Sequence, residues 1–327
     1  MMNSAILKII STVLVTNLVV GCASLEFHPD VPGQAYVATG AEAIARQMPV
    51  VVSEYPDKSF NRIGEPDAFE ENGKIRIRID SRTAVVYYEQ RLFETARGHY
   101  TNLIYRIHFE EVPVSLLPFN LTAGQNVGLI IIITLNDRQQ PILVTTVHTC
   151  GCYLAMVPTN YLQADALPKG WDTESQRVYG ATLPGLLRFE NVPGEERIVV
   201  ILKNAIHRVI HIDVAPVDAL IEQYGSRSMV MKPVSELDAL MLDNGKRFVS
   251  MFEADGGRSG YVRDSRKPFE FLFMSWWAMD RHVGEDKRYG KPGQGSPPFN
   301  TSLKPWARSE SDMRDFPRFL QYWGWRL

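Results

Sequence analysis

The residues best suited to chemistry are His148, Cys150 and Cys152, which occupy every second position of the otherwise apolar run VHTCGCYLAM at 147–156. Four readings fit that spacing. The first is a disulfide: in a regular strand, positions i and i+2 share a face about 6.6 Å apart, the outer limit for bridged Cα atoms. Gly151 relaxes the limit, because glycine permits a bulge or a positive φ that draws its neighbours together. So small a ring is strained, and a strained disulfide suits exchange better than stabilisation. The second reading is a metal site. Three donors spanning i to i+4 cover about 13 Å of strand, so all three converge only if Gly151 bends the chain. An S₂N set suits Cu(I) or Zn(II) with a fourth ligand from elsewhere. His207 and His211 are candidates, since they share a face whether 205–213 is strand or helix; His108 and Glu110 form another same-face pair. The third reading is a cysteine nucleophile with His148 as base, although burial without a positive charge raises a thiol's pKa. The fourth is inert core, because a free cysteine behaves as a small hydrophobe. No catalytic residue can be assigned, and whether the chain is an enzyme stays open: it lacks a Walker loop, a G-x-S-x-G elbow, an H-E-x-x-H pair and a dinucleotide fingerprint.

The elements that must position these residues are mostly strands. KIRIRID (74–80) alternates isoleucine with charge, and TNLIYRIHFE (101–110) sets Leu103, Tyr105, Ile107 and Phe109 against Asn102, Arg106, His108 and Glu110. Each pattern predicts one face in the core and one in water. VGLIIIITL (127–135) and PILVTTVHTCGCYLAMV (141–157) are apolar on both faces and flank the polar NDRQQ, which predicts a hairpin of two central strands. RIVVILKNAIHRVIHIDV (197–214) adds one or two more, broken near Lys203–Asn204. A sheet apolar on both faces must be covered on both, so the expected fold is mainly β, a sandwich or antiparallel barrel-like core with a few peripheral helices, α+β in sum. Helices are predicted at 38–48 and 214–225, with Pro216 in the first turn of the second.

After residue 255 the composition changes, and five of the six tryptophans lie at or beyond Trp276. FEFLFMSWWAMD (269–280) is apolar enough to be buried as a strand or helix. DFPRFLQYWG predicts a C-terminal helix capped by Asp315, with Phe316, Phe319, Leu320 and Trp323 docked on the body and Gly324 as its stop. Asp280, His282, Glu285 and Asp286 read as a solvated, salt-bridged loop.

The formal net charge is −2 with no long run of one sign, which excludes a nucleic-acid-wrapping surface. The N-terminus is more specific. Lys8, the apolar stretch Ile9–Val20 and the sequence Val19-Val20-Gly21-Cys22 form a short secretory core ending in a small residue and a cysteine. This segment resembles a bacterial lipoprotein signal peptide, Val19 to Cys22 matching the lipobox with Val where Leu is commonest. The resemblance covers residues 1–23 alone. It implies cleavage before Cys22, a diacylglycerol thioether on its sulfur and a palmitate-type acyl chain on its amino group. Ala23, in place of Asp, implies sorting to the outer membrane, with the body facing the periplasm. Cys150 and Cys152 are then the only thiols left in a compartment where disulfides persist. The expected organisation is a signal peptide (1–21), a lipidated tether (22–40), a β-rich domain (41–255) and an aromatic-rich segment packed on it (256–327). The expected function is a non-enzymatic envelope protein, joined to the membrane through Cys22 and binding an envelope protein or small ligand. The alternative is a periplasmic Cu/Zn or thiol-redox protein built on His148, Cys150 and Cys152.

Overall fold

The computed structural model describes residues 31–327 apart from 41, 191–195, 243–244 and 294, so the signal peptide, Cys22 and the first part of the tether lie outside the described residues. The strands are β1 (Gly33–Ala38), β2 (Val50–Glu54), β3 (Glu65–Glu71), β4 (Lys74–Asp80), β5 (Val85–Thr95), β6 (Gly98–Val112), β7 (Gly124–Leu135), β8 (Pro141–His148), β9 (Ala155–Pro158), β10 (Ser175–Val178), β11 (Ala181–Pro184), β12 (Glu196–Leu202), β13 (Val209–Pro216), β14 (Ser226–Pro233), β15 (Leu240–Leu242) and β16 (Arg247–Val249). The helices are α1 (Ala43–Arg46), α2 (Val217–Tyr224), α3 (Pro268–Ala278) and α4 (Phe316–Tyr322). A β-rich α+β fold is what the alternating patterns predict.

Ten strands form one sheet in the order β13-β12-β2-β1-β14-β5-β6-β7-β8-β9. From β5 to β9 it is an antiparallel meander. On the other side the pairs β12–β2, β1–β14 and β14–β5 are parallel, so the antiparallel expectation holds for only part of the sheet. The β10–β11 hairpin partly bridges the opening between the edges: Gln176 donates to the Met156 carbonyl on β9, and Ala181 and Leu183 join the core cluster that holds Val209 and Ile212 of β13. That core runs through the concave side, from Tyr36 and Val51 to Tyr105, Phe109, Leu129 and Ile131. A second core on the other face joins Ile104, Ile130 and Ile132 to Phe316, Phe319 and Leu320 of α4. α4 has the expected start, the Asp315 side chain accepting from the Arg318 N–H, and Gly324 follows with φ +88°.

Six expectations need correction. Residues 33–38, expected in the tether, form β1 inside the main sheet, because their side chains are needed between β2 and β14. α1 is one turn, shorter than the predicted 38–48 segment, and Pro216 caps α2 instead of entering it. The polar face of β6 is buried: Arg106 donates to the Lys287 carbonyl of the C-terminal segment and to His108, and Asn102 accepts from the Thr134 hydroxyl of β7, while Glu110 is exposed. The single long strand expected over 141–157 is two, β8 and β9, with the chain reversing between them. The apolar segment 269–280 is a helix, but only Glu270 and Ala278 of α3 are buried.

Candidate functional site

The reversal after β8 decides what His148, Cys150 and Cys152 can do. His148 donates its backbone N–H to the Cys152 carbonyl (2.9 Å) and accepts from the Gly151 N–H (2.8 Å). This closes a three-residue hairpin loop, Thr149–Cys150–Gly151, of the kind that places glycine in the left-handed region. Gly151 has φ +96°, and a Cβ there would lie 2.3 Å from the Asn300 carbonyl oxygen. Glycine is therefore required twice over, for conformation and for the close approach of 299–301. The turn brings the Cα atoms of Cys150 and Cys152 to 5.6 Å, and the two residues are joined as a disulfide. One donor atom of His148 and the two sulfurs lie within 4.8 Å of one another, the three-donor group that the sequence spacing requires a bend to form. In the bonded form the sulfurs hold each other, so neither is a free thiolate.

His148 is buried, with its ring edge-on to Tyr153 at 4.8 Å. Burial, reinforced by the Lys267 charge and by His207, pushes its pKa down to about 3, so it is a neutral imidazole at pH 7. Its Nε2 is buried and has no hydrogen-bond partner. His207 is close enough to perturb it, yet does not enter the donor group. The reason is local: residues 203–208 form the β12–β13 turn, His207 adopts φ +53°, and its ring stacks on Phe109 at 4.0 Å. His211 sits on β13, 3.8 Å from Asp213, and does not join either. Neither residue supplies the expected fourth ligand. The His108–Glu110 pair is likewise separated, His108 accepting from Arg106 Nε at 2.9 Å in the interior.

Behind the turn is a buried ionic cluster that sequence reasoning missed. The Thr149 hydroxyl donates to Asp286 Oδ1, and the Thr149 backbone N–H donates to the Gly128 carbonyl at 2.9 Å, fastening the loop to β7. Asp286 pairs with Lys267 at 3.0 Å, and both side chains are about as inaccessible as any in the molecule, at 0% and 1% exposure. Glu270, on the inner face of α3, completes the group; burial raises its pKa. For Lys267, burial works against the charge, but the Asp286 and Glu270 carboxylates outweigh it and the pKa rises. Gly284 admits the Glu270 carboxylate into space that a Cβ would fill. Asp286 therefore belongs to the core instead of a solvated loop, whereas Asp280, His282 and Glu285 keep the expected salt-bridged arrangement through Arg308 and Arg258. The available signal was Asp286 beside Lys287, a charged pair next to glycine that resembles any surface loop.

No protein-family model matches the chain, and no curated protein or solved structure does either.

The outer face of α3 is the second notable feature. Phe271, Leu272, Phe273, Trp276 and Trp277 point away from the body, and Trp276 is 76% exposed. The loop at 113–119 lies alongside, its Phe119 ring against Phe269 and Phe273 at 5.2 and 6.0 Å, and it exposes Val114, Leu116 and Leu117. At the C-terminal end, Arg308 donates to the Ala278 and Met279 carbonyls. The exposed side chains of α3 and of the 113–119 loop together form an apolar surface. No helix among the described residues is long and apolar enough to cross a membrane.

Proposed function

We propose that the chain is a lipid-anchored envelope protein, held through Cys22 in the outer membrane and facing the periplasm, that works by binding and not by turnover. The observation that carries this reading is the apolar face of α3 and the 113–119 loop, which the other described residues leave uncovered. Its large side chains would be buried in a protein that had no partner for them, and ionic contacts beneath the helix hold the face outward. The lipobox-like segment supports the location. A photo-crosslinking residue at Phe273 or Trp276 in intact envelopes is expected to capture another envelope component. Uncrosslinked monomer, together with a turnover activity that depends on Cys150 or His148, overturns the reading.

A second reading has its own support, the convergence of His148, Cys150 and Cys152 within 4.8 Å. In it, a dithiol donor delivers two electrons and two protons to the disulfide, becoming a disulfide itself. The resulting thiols then lose their protons to a soft cation such as Cu(I) or Zn(II), with neutral His148 as third donor. Anaerobically reduced protein is expected to take up one equivalent of metal and to lose this capacity in His148→Ala and in Cys150→Ser. Equal uptake by all three proteins contradicts it.

A further inference from the structure

The α3 surface is an unusual piece of protein. A helix on a globular body turns its apolar stripe inward; here the buried residues are Glu270 and Ala278, Phe269 packs partly against the core, and the other aromatic residues face out. The inversion is fixed from below, since Glu270 sits with the buried Lys267–Asp286 pair and Gly284 closes over its carboxylate. Rotating α3 to hide its tryptophans would bring that carboxylate into water and leave Lys267 with Asp286 alone.

We infer that this face docks on a phospholipid bilayer, lying in the interfacial region with α3 in the membrane plane. The inference rests on the lipid-anchor reading above for its geometry. Three observations favour lipid over a protein groove. First, the composition is interfacial: tryptophan, phenylalanine and leucine around the broad exposed part of a short helix, with cations at its borders. Arg266 precedes α3, Arg281 follows it and Lys304 lies on the neighbouring 303–308 segment; all three are exposed, and none has an ion pair among the described residues. The acidic groups close by are mostly engaged, Asp280 with Arg308 and Glu285 with Arg258, while Glu110 and Glu111 stand at the start of the 113–119 loop. Second, the surface is an outward helix face and a loop crest, with Leu117 95% exposed, which suits a fluid partner. Third, the tether is short. Nine residues, 23–31, separate Cys22 from Pro32, where the body begins, and the ten Cα-to-Cα steps reach at most about 35 Å. A body of this size has a radius of gyration of about 19 Å. An acylated Cys22 thus keeps the body within reach of the bilayer, where docking sets which face meets the lipid.

The test uses full-length acylated protein reconstituted in vesicles of phosphatidylcholine and phosphatidylglycerol whose acyl chains are brominated near the glycerol. Tryptophan fluorescence is expected to be quenched by the bromolipid and protected from aqueous iodide. Trp276→Ser/Trp277→Ser is expected to remove most of the quenching. Because these side chains are exposed, the variant folds, and circular dichroism checks it. Non-acylated Cys22→Ser protein, floated with the same vesicles, is expected to partition, and Arg266→Gln or Arg281→Gln to weaken this by about fivefold each, the effect of one interfacial cation. Iodide quenching without bromolipid quenching in protein whose mass confirms acylation overturns the docking while leaving the anchor intact. Bromolipid quenching in protein whose mass shows no acyl group retains the docking and removes the anchor. Crosslinks from α3 to a protein, to a second copy or to residues 1–30, without lipid adducts, overturn the lipid assignment and retain the binding surface.

Discussion

Acidification is expected to destabilise the protein through its buried histidines: His108, which burial and the Arg106 charge hold well below its usual value, contributes in the same direction as His148 and His207. His148 and His207 are both held at about 3 by burial, with Lys267 adding to the effect, against an unfolded value near 6.5. A depressed pKa means that the native state binds fewer protons than the unfolded chain. The stabilisation is complete above the unfolded value and is lost as pH falls toward the folded one. From pH 7 to about pH 4.5, each histidine gives up roughly two pH units of linkage, or about 2.7 kcal/mol, and the pair about 5 kcal/mol. Glu270 works the other way, since its raised pKa favours the native state on the acid side and offsets part of the loss. Lys267, raised from an already high value, does not change across this window. Denaturant unfolding followed by tryptophan fluorescence at the two pH values measures the total. His148→Gln isolates one term: its pH-dependent loss is expected to be smaller than that of the wild type by about 2.7 kcal/mol. Identical pH dependence in wild type and variant would refute the claim that His148 is buried and neutral.

Three further outcomes follow from the same geometry. Gly151→Ala, with a Cβ against the Asn300 carbonyl at positive φ, is expected to cost about 2 to 4 kcal/mol in a denaturant titration. Reduction of Cys150–Cys152 is expected to cost only about 1.5 kcal/mol, because so short a loop has little closure entropy; comparing midpoints with and without reductant checks this, and thiol titration should count zero before and two after. Asp286→Asn leaves Lys267 buried without its paired charge and is expected to cost about 3 to 5 kcal/mol, whereas Trp276→Ser, on the exposed face, should stay within about 0.5 kcal/mol of wild type in the same assay.

Much of the fold was legible because it is local. The alternation in KIRIRID, the NDRQQ break, the Lys203–Asn204 break and the Asp315 cap each depend on a few neighbouring residues, and each stands where it was read. What was not legible depends on residues far apart. Parallel pairing of β1 with β14 leaves no trace in either segment. The reversal at Thr149–Gly151 lacks the polarity of an ordinary turn because 287 and 300 cover it, Lys287 donating its N–H to the Thr149 carbonyl. The same segment, through the Lys287 carbonyl, holds Arg106 of β6 in the interior. Composition misled twice in opposite directions: the apolar 269–280 segment faces out, and acidic Asp286 faces in. In both cases a buried ionic group, Lys267 with Asp286 and Glu270, decided which side of α3 is inside. The site followed the same rule. The spacing of His148, Cys150 and Cys152 posed the geometric question correctly, and the hairpin loop, with Gly151 at φ +96°, answers it.

The central claim, that this is a lipid-anchored binding protein of the envelope, is tested most directly by the intact mass of the protein taken from its native membrane. The predicted result is a chain beginning at residue 22, heavier by a diacylglycerol and one acyl group, and lighter by two hydrogens for the Cys150–Cys152 bond. A chain that retains residues 1–21, or one that begins at Cys22 without lipid, contradicts it.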